Sequence, residues 1–220
     1  MFSSELLSLL VRSLAKGDDD RPWLMRLCEA CVESLGAQGG AFTVSAGPGE
    51  WIAVSTPGGF EVLEPLQEVL GEGPMHQAMT EDRLVVTSLD SVVDDYPVFS
   101  QLAASAGGET TLYAAPMRAG GHVVGAFSLY VTDGAPPCGP EELQMLADAT
   151  GATLLASADS LDWSESNLFQ RAIGMVVAQL GVGPDDASAV MRARAFSRST
   201  SLHSVAVDVL ERRLTFGFDE

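Results

Sequence analysis

The sequence predicts an α+β protein: an antiparallel sheet flanked by helices, followed by a small three-helix bundle. Three observations carry that prediction. Short apolar or alternating runs (Gly40 to Ser45, Trp51 to Ser55, Leu84 to Thr87, Thr111 to Met117, Val123 to Tyr130) are interleaved with segments of helical period. Two pairs of these runs are joined by glycine-bearing turns, which makes them antiparallel hairpins. In the last quarter, Ser164 to Phe216, apolar residues recur on one face of three short helical stretches, enough for a minimal bundle.

Taken in order, Ser4 to Ala15 reads as an amphipathic helix with Leu6, Leu7, Leu10 and Leu14 on one stripe, ending before the acidic run Asp18-Asp19-Asp20. Pro22 opens a second helix through Leu24, Leu27, Cys28, Cys31 and Leu35, stopped by Gly36. The first hairpin turns at Gly47-Pro48-Gly49. Val62 to Leu70 is a short helix, Gly71-Glu72-Gly73-Pro74 breaks it, and Met75 to Met79 is another. A strand, a helix from Val98 to Ala106 and the second hairpin follow, the latter turning through Gly120-Gly121. Pro140 starts a long helix through Leu143, Leu146, Thr150, Leu154 and Ala158. In the tail, Gly181 stops one helix, Pro184-Asp185-Asp186 starts the next, and Thr200 or Ser201 caps the third.

The length of 220 residues fits one domain of about 150 residues and a small second one, and 46% apolar residues suffice for ordinary cores. The longest apolar runs fall short of the roughly 20 residues a bilayer requires. The start, Met1-Phe2-Ser3-Ser4-Glu5, has no basic run before an apolar stretch, so a cytoplasmic protein is expected. The net charge of -18 taken whole argues against nucleic acid, but its distribution does not. Residues 1 to 163 hold 23 acidic and 6 basic side chains, whereas Ser164 to Phe216 holds 5 acidic and 6 basic ones, all arginine. Arginine suits bidentate contact with phosphates and base edges, though some of these residues serve as solvated helix faces.

No catalytic constellation is expected. The chain has no nucleophile elbow, no phosphate-cradling loop and no dinucleotide fingerprint. His76, His122 and His203 are isolated, and Cys28 and Cys31 fall at helical spacing among leucines, so neither metal nor cofactor is predicted. Cys138 is the one candidate for an exposed thiol, and alone it cannot form the intramolecular disulfide of a thiol reductase.

Over residues 21–158 the order of elements resembles a GAF domain. Local signatures agree: Gly71-Glu72-Gly73-Pro74 before a helix, Asp90 followed by Pro97-Val98-Phe99, and Leu112 to Pro116 followed by Gly125-Ala126-Phe127-Ser128-Leu129-Tyr130. The resemblance implies a sensor with an unidentified small-molecule ligand. Phe42, Trp51, His76, Tyr96 and Tyr113 are the candidate pocket lining, with plain core packing as the equal alternative. The cyclic-nucleotide pattern Asn-Lys-Phe-Asp-Glu is missing from this region.

Residues 159–220 resemble an ANTAR domain. Ala172-Ile173-Gly174 stands at the family's Ala-x-Gly element, Met191-Arg192 at its Leu-Arg pair and Ala195-Phe196 at its small-plus-apolar step. The resemblance implies binding to paired RNA hairpins that prevents transcription termination, without enzymatic activity. It places RNA contacts at Arg171, Ala172, Gly174, Arg192, Arg194 and Arg198. Many members have Lys where this chain has Ile173, which removes one expected phosphate contact. A homodimer is expected, through the leucine stripe of residues 1–20 or the connector from Leu143 to Leu161. The alternative is a non-enzymatic protein-interaction module with a ligand-sensing GAF domain.

Overall fold

Helix α1 (Trp23–Ser34) starts directly after Pro22 and ends at Leu35, where Gly36 takes a left-handed φ of 61°. Leu24, Cys28, Cys31 and Leu35 recur at helical spacing and are all buried. The computed structural model describes residues 8, 11, 12, 22–47, 50–57, 60–107, 109–132, 134, 136, 138–156 and 164–217. The expected N-terminal leucine helix, the acidic run at 18–20 and the end of the connector lie outside these, apart from Ser8, Val11 and Arg12.

Five strands follow: β1 (Gly39–Gly47), β2 (Glu50–Ser55), β3 (Val85–Ser88), β4 (Thr111–Ala119) and β5 (His122–Val131). They form one sheet in the order β2-β1-β5-β4-β3, with every neighbouring pair antiparallel. Its two faces are covered by different helices. Phe42, Val44, Met117, Phe127 and Leu129 pack with α1 and with α5 (Pro140–Ala156). Leu112 and Tyr130 point the other way, toward α2 (Leu63–Leu70) and α4 (Pro97–Gly107), and Ala114 and Val85 toward α3 (Pro74–Glu81).

Close approach at two glycines sets the spacing of these layers. A Cβ on Gly151 of α5 would sit 3.1 Å from the Met117 Cβ and from the Arg118 carbonyl oxygen, so α5 lies almost on the backbone of β4. A Cβ on Gly125 of β5 would meet the Thr43 carbonyl oxygen at 2.1 Å. Arg118 ties the layers at one end: its Nε donates to Asp82 Oδ1 at 2.6 Å, and Nη1 lies 3.4 Å from Asp148 Oδ2 of α5.

The last three helices are α6 (Ser164–Leu180), α7 (Pro184–Ser197) and α8 (Leu202–Leu210). Gly181 at φ 66° ends α6, Pro184 opens α7, and the Ser201 hydroxyl caps α8 by accepting from Ser204 N at 3.1 Å. Phe169, Val176, Ala187, Met191, Leu202, Val205 and Val209 enclose one apolar cluster, which Val69 of α2 also joins. Ala187, Met191, Leu202, Val205 and Val209 are buried as the spacing implies, Val177, Val190 and Leu210 only partly, and the cluster does not close on itself. Among the described residues no helix is long and apolar enough to cross a membrane.

Candidate ligand face and nucleic-acid interface

The glycines of Gly71-Glu72-Gly73-Pro74 have a geometric purpose. Gly71 ends α2 at φ 68°, and Gly73, at φ 135°, lies where a Cβ would strike Gln67 Oε1 at 2.6 Å. That oxygen accepts from Met75 N at 2.8 Å, and Glu72 Oε1 accepts from Phe99 N at 2.8 Å, in the first turn of α4. The Gly-Glu-Gly-Pro and Pro-Val-Phe signatures, far apart in sequence, are thus joined by one bond.

At the other end of α2, in its first turn, lies a buried carboxylate. Glu64 accepts from the Tyr130 hydroxyl at 2.7 Å and from the Thr43 hydroxyl at 3.1 Å. Burial raises its pKa above the ordinary 4.5, although the Tyr130 and Thr43 bonds pull the other way. The Tyr130 hydroxyl is itself pushed well up by burial and by Glu64. A raised folded-state value means that the unfolded chain ionises first as pH rises, so stability is lost between the ordinary carboxylate range and the folded value. Glu64→Gln keeps the shape without the charge. It is expected to raise the melting temperature by several degrees at pH 8 and to leave it nearly unchanged at pH 4, in scanning calorimetry across that range. An equal shift at both values would contradict this account.

The structure separates the five aromatic candidates. Trp51 and His76 meet edge to face at 5.6 Å, and His76 Nε2 lies 3.1 Å from the Gln67 carbonyl oxygen. Burial lowers the His76 pKa, and nearby Arg192 lowers it further. Tyr96 packs on Phe99 at 6.1 Å in the cluster beneath α4. Phe42 and Tyr113 are corrected: both face α1 and α5 on the opposite side of the sheet, Phe42 against Phe127 at 5.0 Å. The period of two along β1 turns Thr43, not Phe42, toward Glu64. Sequence reasoning missed Glu64, Gln67, Thr43 and Tyr130. The available signal was the polar pair Glu64 and Gln67, three residues apart inside an apolar helix. A pocket of about 210 Å³ beside Trp51, lined also by Ser45, Met79 and Gly125, is below the usual size for a drug-sized ligand.

Cys28 and Cys31 are fully buried, and burial pushes the Cys31 thiol up to about 12 and Cys28 higher still. Cys138 is half-buried and also raised, first by burial and then by Glu142. Neither helical thiol is a ready thiolate. Among the described residues no group of three His, Cys, Asp or Glu side chains converges as a metal site.

On the C-terminal helices the six RNA candidates point in several directions. Arg171 is exposed on α6. Ala172 is corrected: its methyl is fully buried in the apolar cluster, so it packs the bundle. Ile173 is buried there too, which makes position 173 a packing position in this chain rather than an empty phosphate contact. Gly174 is exposed, and a Cβ added there would meet nothing within 4 Å.

Arg194 lies in the last turn of α7, and Arg198, four residues on, is the residue that caps its C-terminal end. Arg194 is half-buried beside an open groove of about 540 Å³, lined also by Val190, Ala193, Ser197, Thr215 and Phe216. Its Nε has no hydrogen-bond partner among the described residues. Arg198 is exposed, with Nη1 4.0 Å from Asp208 Oδ2, at the limit of an ion pair. Phe216 is held at the groove by its amide, which donates to Gln179 Oε1 at 2.8 Å. Arg192 lies elsewhere, against α2, with Nη1 3.2 Å from where a Cβ on Gly71 would be.

A family profile described as a GAF domain matches residues 24–153. The chain belongs to the GAF domain family, a class of signalling and ligand-sensing modules. The matched stretch ends within α5, before α6 to α8. Similar solved structures include the GAF domain of a phosphoenolpyruvate-protein phosphotransferase from Coxiella burnetii, at 16% identity and a TM-score of 0.48, covering 71% of this chain and 96% of that one. The free methionine-R-sulfoxide reductase from Neisseria meningitidis in complex with its substrate is similar at 16% identity and a TM-score of 0.46, covering 73% and 98%. No curated protein matches the chain.

Proposed function

We propose that this chain is an RNA-binding regulator of transcription antitermination, in which a GAF sensor over residues 21–158 governs an ANTAR-type RNA-binding unit over residues 159–220. The observation that carries the reading is the pair Arg194 and Arg198 at the C-terminal end of α7, Arg194 lining a groove of about 540 Å³ together with Phe216 and Arg198 exposed at the helix cap. Guanidinium groups a turn apart match successive phosphates or a base edge, and a groove bordered by an arginine and an aromatic ring suits an unstacked loop base. Ser164 to Phe216, with 5 acidic side chains and 6 arginines, is about neutral on an otherwise acidic chain, so RNA is repelled least there and attracted only close to the arginines.

In this reading the protein is a cytoplasmic homodimer without enzymatic activity, each copy taking one hairpin of a pair. The sensor's ligand contacts the face around Trp51 and His76. The test is selection of two-hairpin RNAs with randomised loops by the full chain, followed by titration of the selected RNA, a loop-scrambled version and duplex DNA across a salt series. Loop-dependent binding that weakens as salt rises is the expected result. Equal affinity for all three would turn the assignment to the protein-interaction module.

A further inference from the structure

Helix α2 faces two ways. Glu64 and Gln67 are buried toward the sensor, where Tyr130, Thr43 and Met75 hold them. Val69, two residues beyond Gln67 and so on the other side of the helix, is buried in the apolar cluster of the C-terminal helices. Helix α7 packs along α2, and α6 meets β2. At the end of α2, Gly71 leaves room for the Arg192 guanidinium. Arg192 also stands near enough to His76 for its charge to be felt there. The side of α7 that carries Arg192 is therefore occupied by the sensor, whereas the side with Arg194 and Arg198 is open.

From this arrangement we propose that α2 is an autoinhibitory clamp: it covers Arg192 and the adjoining face of α7, and full RNA affinity requires α7 to leave α2. The proposal rests on the RNA-binding reading and adds its regulation. In the clamped form Arg171, Gly174, Arg194, Arg198 and the groove are open to RNA; release adds Arg192 and the surface that Val69 covers. The clamp and the ligand face share α2, and the Gln67 carbonyl and side chain join α2 to α3, which bears His76. Displacement of the Trp51 and His76 pair by a ligand thus reaches α7 through a single helix.

Two neutral substitutions test this in the full chain without changing its net charge. Val69→Asn puts an amide into the shared apolar cluster, and Gly71→Asn, at a left-handed position that asparagine tolerates, drives a side chain into the space of Arg192. Both are titrated against the selected two-hairpin RNA after circular dichroism melts; if Val69→Asn does not fold, Gly71→Asn carries the test. Each folded variant is expected to bind about tenfold tighter than the wild type, within the usual span of allosteric couplings. Adding Arg192→Ala to either is expected to remove the gain. Folded variants that bind RNA with wild-type affinity would overturn the clamp alone. No loop-dependent binding by wild type or variants would overturn the RNA reading, and the clamp as its regulator falls with it.

Discussion

Replacing Arg194 and Arg198 together by alanine is expected to weaken binding of the selected RNA by about 100-fold, roughly tenfold for each guanidinium, as removal of a good bidentate pairing implies. The salt dependence distinguishes their roles. Each phosphate on a single strand that is no longer neutralised lowers the slope of log K against log salt by about 0.7, so two of them lower it by roughly 1.4. If Arg194 instead holds a loop base in its groove, Arg194→Ala relaxes the preference for the native loop and moves the slope little. Arg83→Ala is the matched control: that guanidinium pairs with Glu81 on the sensor, and its removal is expected to leave affinity unchanged. Fluorescence anisotropy titrations of the wild type, the Arg194 variant, the double variant and the control decide it. A double variant with wild-type affinity and slope would remove α7 from the interface.

The largest effect on stability is expected from Gly125→Ala. The added methyl would lie 2.1 Å from the Thr43 carbonyl oxygen and 2.9 Å from Met117 Cε. The methionine can turn aside. The carbonyl cannot, because β1 is fixed between β2 and β5 in the sheet. Overpacking ordinarily costs about 1–3 kcal/mol, and a backbone obstacle puts this site at the upper end or beyond. That is a large share of a domain's stability of about 5–15 kcal/mol. The urea midpoint is expected to fall steeply with little change in slope. Gly174→Ala provides the contrast: its Cβ meets nothing, and the exchange inside α6 is expected to stabilise by up to about 1 kcal/mol. A wild-type midpoint for Gly125→Ala would contradict the strand spacing described above.

Element types and order were readable because each carries local punctuation, such as Pro22 and Gly36 around α1 or Gly181 and Pro184 between α6 and α7. The face of a strand was harder to read. Both sides of β1 are covered, so Ala41, Phe42, Thr43 and Val44 are all buried and alternation alone gave no direction. Glu64 escaped notice because a glutamate in a short helix ordinarily reads as solvated, and only the fold brings Tyr130 and Thr43 to it. Arg192 was readable as a cation beside a buried Met191, but its engagement with α2 is a tertiary fact without local signature. Ala172 shows the converse: a position that the motif assigns to RNA has its side chain packed in the apolar cluster.

Whether the C-terminal helices act on a nascent transcript, as proposed, is read out by single-round transcription in vitro through a terminator that overlaps the selected two-hairpin leader. Adding the wild-type chain is expected to increase read-through, Gly71→Asn to increase it further, and Arg194→Ala combined with Arg198→Ala to leave it at background. Unchanged termination at protein concentrations that saturate the RNA would exclude antitermination by these helices.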